Sequence, residues 1–284
     1  MQKHARFRRV ALVVFGLATV FASALMAHDF WMVPIQLEFG EENSITVHGQ
    51  TSVRFATSES AVGATRVAEA ILHDGKNGHP ITDLGVAEKS LRLTHAPRAK
   101  GQYTVGVRLQ PASTRSAPAA FKRYLELEGA PELAARYEQQ GLMPKDTITR
   151  KSIKYAKTYV QVGRGGPRSF AQRLGHPLEL SVAKDPSALR NGETAEIVLE
   201  FLGKPLADAT LTAGWVPFND LTALNGGAGP AGDVKVTTDA RGVAKLPVGN
   251  AGWWNIRTIH ALPSSAQGEW DVHWATLVFP VQAR

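Results

Sequence analysis

The 284-residue chain contains no cysteine. It therefore has no disulfide bond, no thiolate metal ligand and no cysteine for lipid attachment. Methionine is scarce as well: of the four methionines, only Met32 and Met143 lie beyond residue 27. So few thioether groups argue against a methionine-rich carrier of Cu(I).

The motifs of the common catalytic sites are also missing. The sequence contains no Gly-x-Ser-x-Gly and no His-Glu-x-x-His, the arrangements that present a nucleophilic serine or a catalytic zinc. Residues 163–166 are rich in glycine, but no Gly-Lys-Ser/Thr follows them, so a nucleotide site is not expected. We predict that the protein is not an enzyme.

The amino terminus has the composition of an export signal. Residues 1–9 carry four basic side chains and no acid, and they precede an apolar run over residues 10–21 that is too short to span a bilayer. We predict a signal peptide over residues 1–27, a periplasmic location and a mature protein that does not span the membrane. Cleavage after Ala24 and cleavage after Ala27 both stay open: the first fits the small-x-small pattern better, and the second exposes His28.

The basic character of the chain belongs largely to this leader. Removing residues 1–27 takes away four of the 32 basic residues and none of the 25 acidic ones, which leaves a formal charge of +3. The remaining sequence has no clustered basic stripe with interleaved aromatic residues. A nucleic-acid partner is therefore not expected.

The first half of the remaining chain has the pattern of short strands. Alternating or β-branched segments separated by turn residues predict strands over residues 44–48, 66–73, 90–94 and 102–109, and the pattern returns over residues 154–162. In between, residues 119–141 show a helical period that is interrupted at Gly129 and Pro131. This interruption predicts a short helical hairpin.

The carboxyl-terminal part is the most regular. Turns that carry Gly or Pro separate seven predicted strands, over residues 177–180, 193–201, 209–216, 233–238, 242–247, 252–260 and 270–281. This spacing is typical of an immunoglobulin-like or prealbumin-like sandwich. We therefore predict a mainly β protein with two β-sandwich domains, residues 28–175 and 176–284, and the helical hairpin inserted in or after the first.

Cleavage after Ala27 would make His28 the amino-terminal residue. A terminal histidine offers a metal ion its free α-amine and its ring Nδ1 in one chelate. Such a chelate suits Cu(II) and Ni(II), which accept nitrogen donors in square or tetragonal geometry. His28 is therefore a candidate metal ligand.

Several segments, in this order and at this spacing, resemble one family of exported bacterial domains. They are Ala-His-Asp-Phe-Trp at 27–31, Tyr-Ala-Lys at 155–157, the run from Pro177 to Pro186, residues 189–193, residues 203–206, Trp270, and Trp-Ala-Thr-Leu at 274–277. The family was long of unknown function and is linked to nickel and cobalt uptake as the metal-binding part outside the cytoplasm. The similarity extends over nearly the whole chain from residue 27.

The resemblance implies a periplasmic protein that binds a divalent ion, nickel or cobalt. Copper stays open because it outcompetes both metals at nitrogen ligands. His28 matches the family's terminal histidine, and His260, which follows a similar strand, is the implied second ligand. His48 is the third candidate, although here it precedes Gly49, whereas the family has glycine before histidine. The implied partner is a membrane metal transporter or an outer-membrane receptor.

Other polar residues have plainer explanations. His273 is expected to be structural or to orient a ligand. Three roles stay open for Asp29: it orients a ligating imidazole, fixes the terminal turn or pairs with a cation. The remaining histidines of the mature chain are expected at the surface: His73, His79, His95 and His176.

Two alternative functions stay open. The first is an envelope adhesion or partner-binding sandwich that needs no metal. The second is copper binding by a histidine brace, in which a terminal and a second histidine hold the ion on a β-sandwich, as in lytic polysaccharide monooxygenases.

Overall fold

The computed structural model describes residues 29–97, 99–218 and 234–284. The predicted signal peptide, both cleavage sites and His28 lie outside these ranges. Within them, no helix has the length and apolar character needed to cross a membrane.

Nine strands precede the helices in the described residues. Their bounds are β1 Asp29–Pro34, β2 Glu38–Phe39, β3 Ile45–Ser52, β4 Val67–His73, β5 Gly78–Pro80, β6 Asp83–Ala87, β7 Ser90–His95, β8 Gly101–Leu109 and β9 Ala112–Ser116. Four of them, β3, β4, β7 and β8, coincide with predicted strands. The other five were not predicted.

Two short helices form the predicted hairpin, α1 over Pro118–Leu127 and α2 over Pro131–Gln139. Each begins with a proline, whose missing N–H would have no partner at that position in any case. Gly129 lies between the helices at a φ of 95°, a conformation that favours glycine. The ring of Phe121 packs against that of Trp270 with centroids 4.8 Å apart.

Nine further strands complete the described chain. They are β10 Ile148–Val162, β11 Leu178–Val182, β12 Glu193–Phe201, β13 Lys204–Pro205, β14 Thr210–Val216, β15 Val234–Thr237, β16 Val243–Val248, β17 Gly252–Pro263 and β18 Glu269–Val281. They include all seven strands predicted for the carboxyl-terminal part. The prediction of a mainly β protein with a short helical hairpin is confirmed.

One large sheet contains strands from both predicted domains. Its order is β15-β14-β17-β18-β10-β8-β4-β5, and β2 and β9 also pair with β10. The two halves join where β10 runs parallel to β18, from Thr149 opposite Glu269 to Thr158 opposite Val278. The predicted boundary near residue 176 therefore separates strands that belong to one sheet.

Two small sheets cover opposite faces of the large one. The first has the order β1-β3-β7-β6, and the second consists of β11, β12 and β13 with β16 beside β12. Successive side chains of a strand point to opposite faces. On β10, Ala156 and Val160 join the core beneath the first small sheet, whereas Tyr155 and Tyr159 join the core beneath the second. The result is two sandwiches that share the sheet between them.

A buried ion pair ties the loop after β10 to the second sandwich. Lys157 Nζ lies 2.8 Å from Glu179 Oε1, and the two side chains are 2% and 5% exposed. Lys157 also donates to the carbonyl of Gln172, and the Glu179 carboxylate accepts the backbone N–H groups of Leu174 and Gly175. Burial lowers the pKa of Lys157, and the Glu179 carboxylate opposes that effect. Each buried charge is thus stabilised by the other.

We expect Lys157→Met to lower the free energy of unfolding by about 3–5 kcal/mol, because it leaves the Glu179 carboxylate buried without its cation. Urea unfolding at pH 7 measures the loss. The matched control is Lys122→Met, which removes one partner of the solvent-exposed pair with Glu138 and is expected to change nothing measurable. Equal effects of the two substitutions would contradict this role of the buried pair.

Candidate metal site

His260 on β17 lies directly opposite His273 on β18. Directly opposed residues of an antiparallel pair share one face of the sheet. That face is the one covered by the second small sheet, since Trp254 and Ile256 of β17 belong to its core. Phe201 packs on both imidazoles, with ring centroids 4.6 Å from His260 and 5.2 Å from His273.

Tyr155 on β10 fixes the orientation of His273. The tyrosine Oη lies 3.0 Å from His273 Nδ1, and the two rings are stacked with centroids 5.9 Å apart. Burial raises the pKa of Tyr155 to about 12, so the phenol is uncharged at neutral pH. When Nδ1–H donates to the phenol oxygen, Nε2 of His273 keeps a free lone pair, which is the tautomer that a metal ion needs.

Both imidazoles are uncharged at neutral pH. Burial lowers the pKa of His260 to about 4, and the neighbouring His273 and Arg136 add to the effect. Burial also lowers the pKa of His273. Proton competition is therefore weak at this pair of possible ligands.

A third imidazole also lies close to the Tyr155 ring. The ring of His176 is 5.2 Å from that of Tyr155, and the residue is only 6% exposed. Its Nε2 has no hydrogen-bond partner among the described residues, and burial lowers its pKa to about 4. The expectation that His176 lies at the surface was wrong. The chain between β10 and β11 turns back over the sheet and buries it.

The structure does not bring His48 to this place. His48 lies on β3 of the first small sheet, between Val33 of β1 and Arg92 of β7. Burial lowers its pKa, and the charge of Glu88 opposes that shift. Its neighbours are not those of His260, so the structure places the two predicted ligands apart.

Asp29, the first described residue, lies on the opposite face of the large sheet. Its Oδ2 is 3.3 Å from Arg257 Nε, so of the roles that the sequence left open for Asp29 the structure shows pairing with a cation. Arg257 and His260 are an odd number of residues apart on β17 and therefore point to opposite faces. Glu128 lies 3.9 Å from the same guanidinium, and burial, with Asp29 beside it, raises the pKa of Glu128 to about 7.

The described residues contain no group of three or more His, Asp or Glu side chains that is arranged to hold a metal ion. What the structure assembles is a facing pair of uncharged imidazoles with an orienting phenol. Sequence reasoning identified His260 but missed Tyr155, Phe201 and His176, because their roles depend on which strands are neighbours.

Comparison with known proteins identifies a family. A model described as a domain of unknown function, DUF4198, matches residues 25–262. The match itself carries no link to nickel or cobalt. No curated protein matches the chain.

The chain also matches solved structures, at low sequence identity and low TM-score. Murine CEACAM1b is 9% identical over 90% of this chain and 100% of its own, with a TM-score of 0.20. Trypsin-activated alpha-2-macroglobulin from Escherichia coli is 11% identical over 89% of this chain and 15% of its own, with a TM-score of 0.21. A marsupial T cell receptor is 10% identical over 90% of this chain and 72% of its own, with a TM-score of 0.22. Scores this low support no argument about function.

We expect the imidazoles of His260 and His176 to titrate at about pH 4, rather than near the roughly 6.5 of an unfolded chain. Because the unfolded chain binds these protons first, the stability that the two groups contribute is complete above about pH 6.5 and is lost as the pH falls to about 4. Two-dimensional NMR of ring resonances, assigned with His260→Gln and His176→Gln, measures both values. Titration near pH 6.5 would contradict the buried, uncharged state.

Proposed function

This chain belongs to the DUF4198 family, and we propose that it binds a divalent transition-metal ion outside the cytoplasm. Nickel and cobalt are the proposed metals, and metal uptake is the proposed context, with a membrane transporter or outer-membrane receptor as the partner. Copper stays in the proposal because nitrogen ligands hold it more tightly than either. The observation that supports the proposal best is the facing pair of His260 and His273.

The chemistry of the pair suits such ions. Cβ atoms of directly opposed residues are about 4.5–5.5 Å apart, a separation that lets two imidazoles reach one ion. Nickel, cobalt and copper ions accept imidazole nitrogen, and both rings are uncharged at neutral pH. Tyr155 would select the ligating tautomer of His273, as orienting hydrogen-bond partners do around metal-bound histidines.

The ion would reach the pair from the side of His260. His260 is half-buried and lines a cavity of about 20 Å³ together with Arg136 of α2 and Asp208. This volume holds about one water molecule. Solvent or an added donor would complete the coordination there, since two imidazoles alone leave positions open.

Of the two remaining predicted ligands, only His48 is described, and it lies on β3 of the first small sheet. His28 lies outside the described residues, and its neighbour Asp29 is held by Arg257 on the sheet face opposite to His260. We therefore propose a His28 chelate as a separate site, which would bind its own ion. His48 stays a predicted ligand that is tested on its own.

We expect the protein that starts at His28 to retain nickel or cobalt when native mass spectrometry follows addition of one or two equivalents. His260→Gln and His273→Gln should each weaken the affinity, measured by calorimetry, by about tenfold or more, because each removes one of two protein ligands. Tyr155→Phe should weaken it less, since only the orientation of His273 is lost.

Three further variants sharpen this test. His79→Gln is the control, because it removes a half-buried imidazole that is bonded to Asp74 and should leave the affinity unchanged. His28→Ala should lower the number of bound ions without affecting the His260 site, and His48→Gln shows whether His48 contributes. Unchanged affinity in both His260→Gln and His273→Gln would overturn the proposed site. If the wild-type protein retained no metal, the alternative function, a partner-binding sandwich that needs no metal, would be favoured.

The two proposed sites should differ in their pH dependence. At the His260 pair we expect the affinity to fall less between pH 8 and 5 than at a free terminal histidine, because burial lowers the pKa of both imidazoles, that of His260 to about 4. A chelate at His28 should weaken throughout this range, since an α-amine has a pKa of roughly 7.7–8.0 and a free imidazole roughly 6.5. Calorimetric titrations of wild type and His28→Ala separate the contributions. An affinity that still falls steeply below pH 7 in His28→Ala would contradict the assignment to His260.

A further inference from the structure

A cleft of about 410 Å³ lies where the two sandwiches meet, at the far end of the large sheet from the helices. One wall is formed by β2, the end of β10 and the loop over residues 163–168. The other is formed by Ser187 and Arg190, together with Pro280 at the end of β18 and the following Gln282 and Ala283. This volume lies within the range of about 300–1,000 Å³ that small-molecule sites occupy.

The cleft has an excess of positive charge. Arg164, Arg168 and Arg190 line it, and Glu38 is the one acidic lining residue among the described residues. Arg168 is balanced by Asp185, whose Oδ2 lies 3.1 Å from its Nε. Neither Arg164 nor Arg190 forms an ion pair within residues 29–97, 99–218 and 234–284. Two cations therefore face one cleft without carboxylates of their own.

Hydrogen bonds in the two walls orient Arg190 and shape the loop that carries Arg164. Arg190 donates from one terminal nitrogen to the carbonyls of Ser187 and Leu189, at 3.0 and 3.3 Å, which leaves its other N–H groups for a ligand. On the opposite wall, Gln161 donates to the carbonyls of Gly163 and Gly165, at 2.7 and 3.1 Å, and so shapes the loop that carries Arg164. Because the guanidinium of Arg190 is already oriented, it loses less entropy when it binds an anion.

We propose that this cleft binds a small, multiply charged anion of the phosphate or polycarboxylate class, held between Arg164 and Arg190. The planar guanidinium fork matches carboxylate and phosphate oxygens in pairs, which a single lysine ammonium cannot do. The glycine-rich loop over residues 163–166 would contribute by presenting the Arg164 side chain to the anion. It is followed by no Gly-Lys-Ser/Thr motif and thus lacks the features of a nucleotide loop.

Calorimetry with pyrophosphate and with tricarballylate, at constant ionic strength on metal-free protein, tests this inference. We expect saturable binding of one equivalent of at least one of them. Binding of pyrophosphate alone identifies a phosphate site, and binding of tricarballylate alone identifies a polycarboxylate site. Saturable binding of neither probe would overturn the proposal.

Variants locate the binding. Arg164→Gln and Arg190→Gln should each weaken it by about tenfold, the usual size of a charge-assisted contact. Arg190→Lys should weaken it nearly as much, because it keeps the charge and loses the fork. The control is Arg123→Gln, an exposed residue of α1 at the other end of the sheet. Because Arg164 is exposed, its substitution should not disturb folding. If Arg123→Gln weakened binding as much as Arg164→Gln, the proposal would be overturned.

Discussion

The parallel pairing of β10 with β18 is the constraint on which both sandwiches depend. One face of β10 closes the core beneath the β1 sheet, and its other face closes the core beneath the β11 sheet together with β18. Thr158 adds a side-chain hydrogen bond across the pair, to the carbonyl of Val278 at 3.0 Å. Because the paired strands are far apart in sequence, the entropic cost of closing that loop is offset only when both cores form. The two sandwiches are therefore built on one continuous sheet.

This shared sheet explains how far the sequence could be interpreted. Alternation and turn residues are local properties, so they predicted the strands of the second sandwich and the helical hairpin. β1 was missed because all six of its residues are buried, and a short apolar run has no alternation to detect. Which strands pair with each other depends instead on residues that are far apart in the sequence. His260 was a candidate ligand from the resemblance, but its pairing with His273, and the contacts of Tyr155 and Phe201, depend on register, which no motif encodes.

The large sheet also divides two electrostatic environments. On one face lie imidazoles that burial keeps uncharged, beside a phenol and a phenylalanine ring. On the other lie Asp29, Arg257, Glu128 and Lys154, a cluster in which burial raises the pKa of Glu128 to about 7 and lowers that of Lys154 to about 8. The first environment suits a metal ion because its uncharged imidazoles offer nitrogen lone pairs with little competition from protons near pH 7. Asp29, the first described residue, lies in the second environment, paired with Arg257.

The position of a bound ion tests this account most directly. Crystals of the protein that starts at His28, soaked in Co(II) and measured on both sides of the cobalt absorption edge, locate the ion by anomalous scattering. The account predicts a peak about 2.1 Å from a ring nitrogen of His260 and one of His273, as for imidazole bound to a first-row ion. A peak only at the amino terminus, or beside His48, would contradict the central claim.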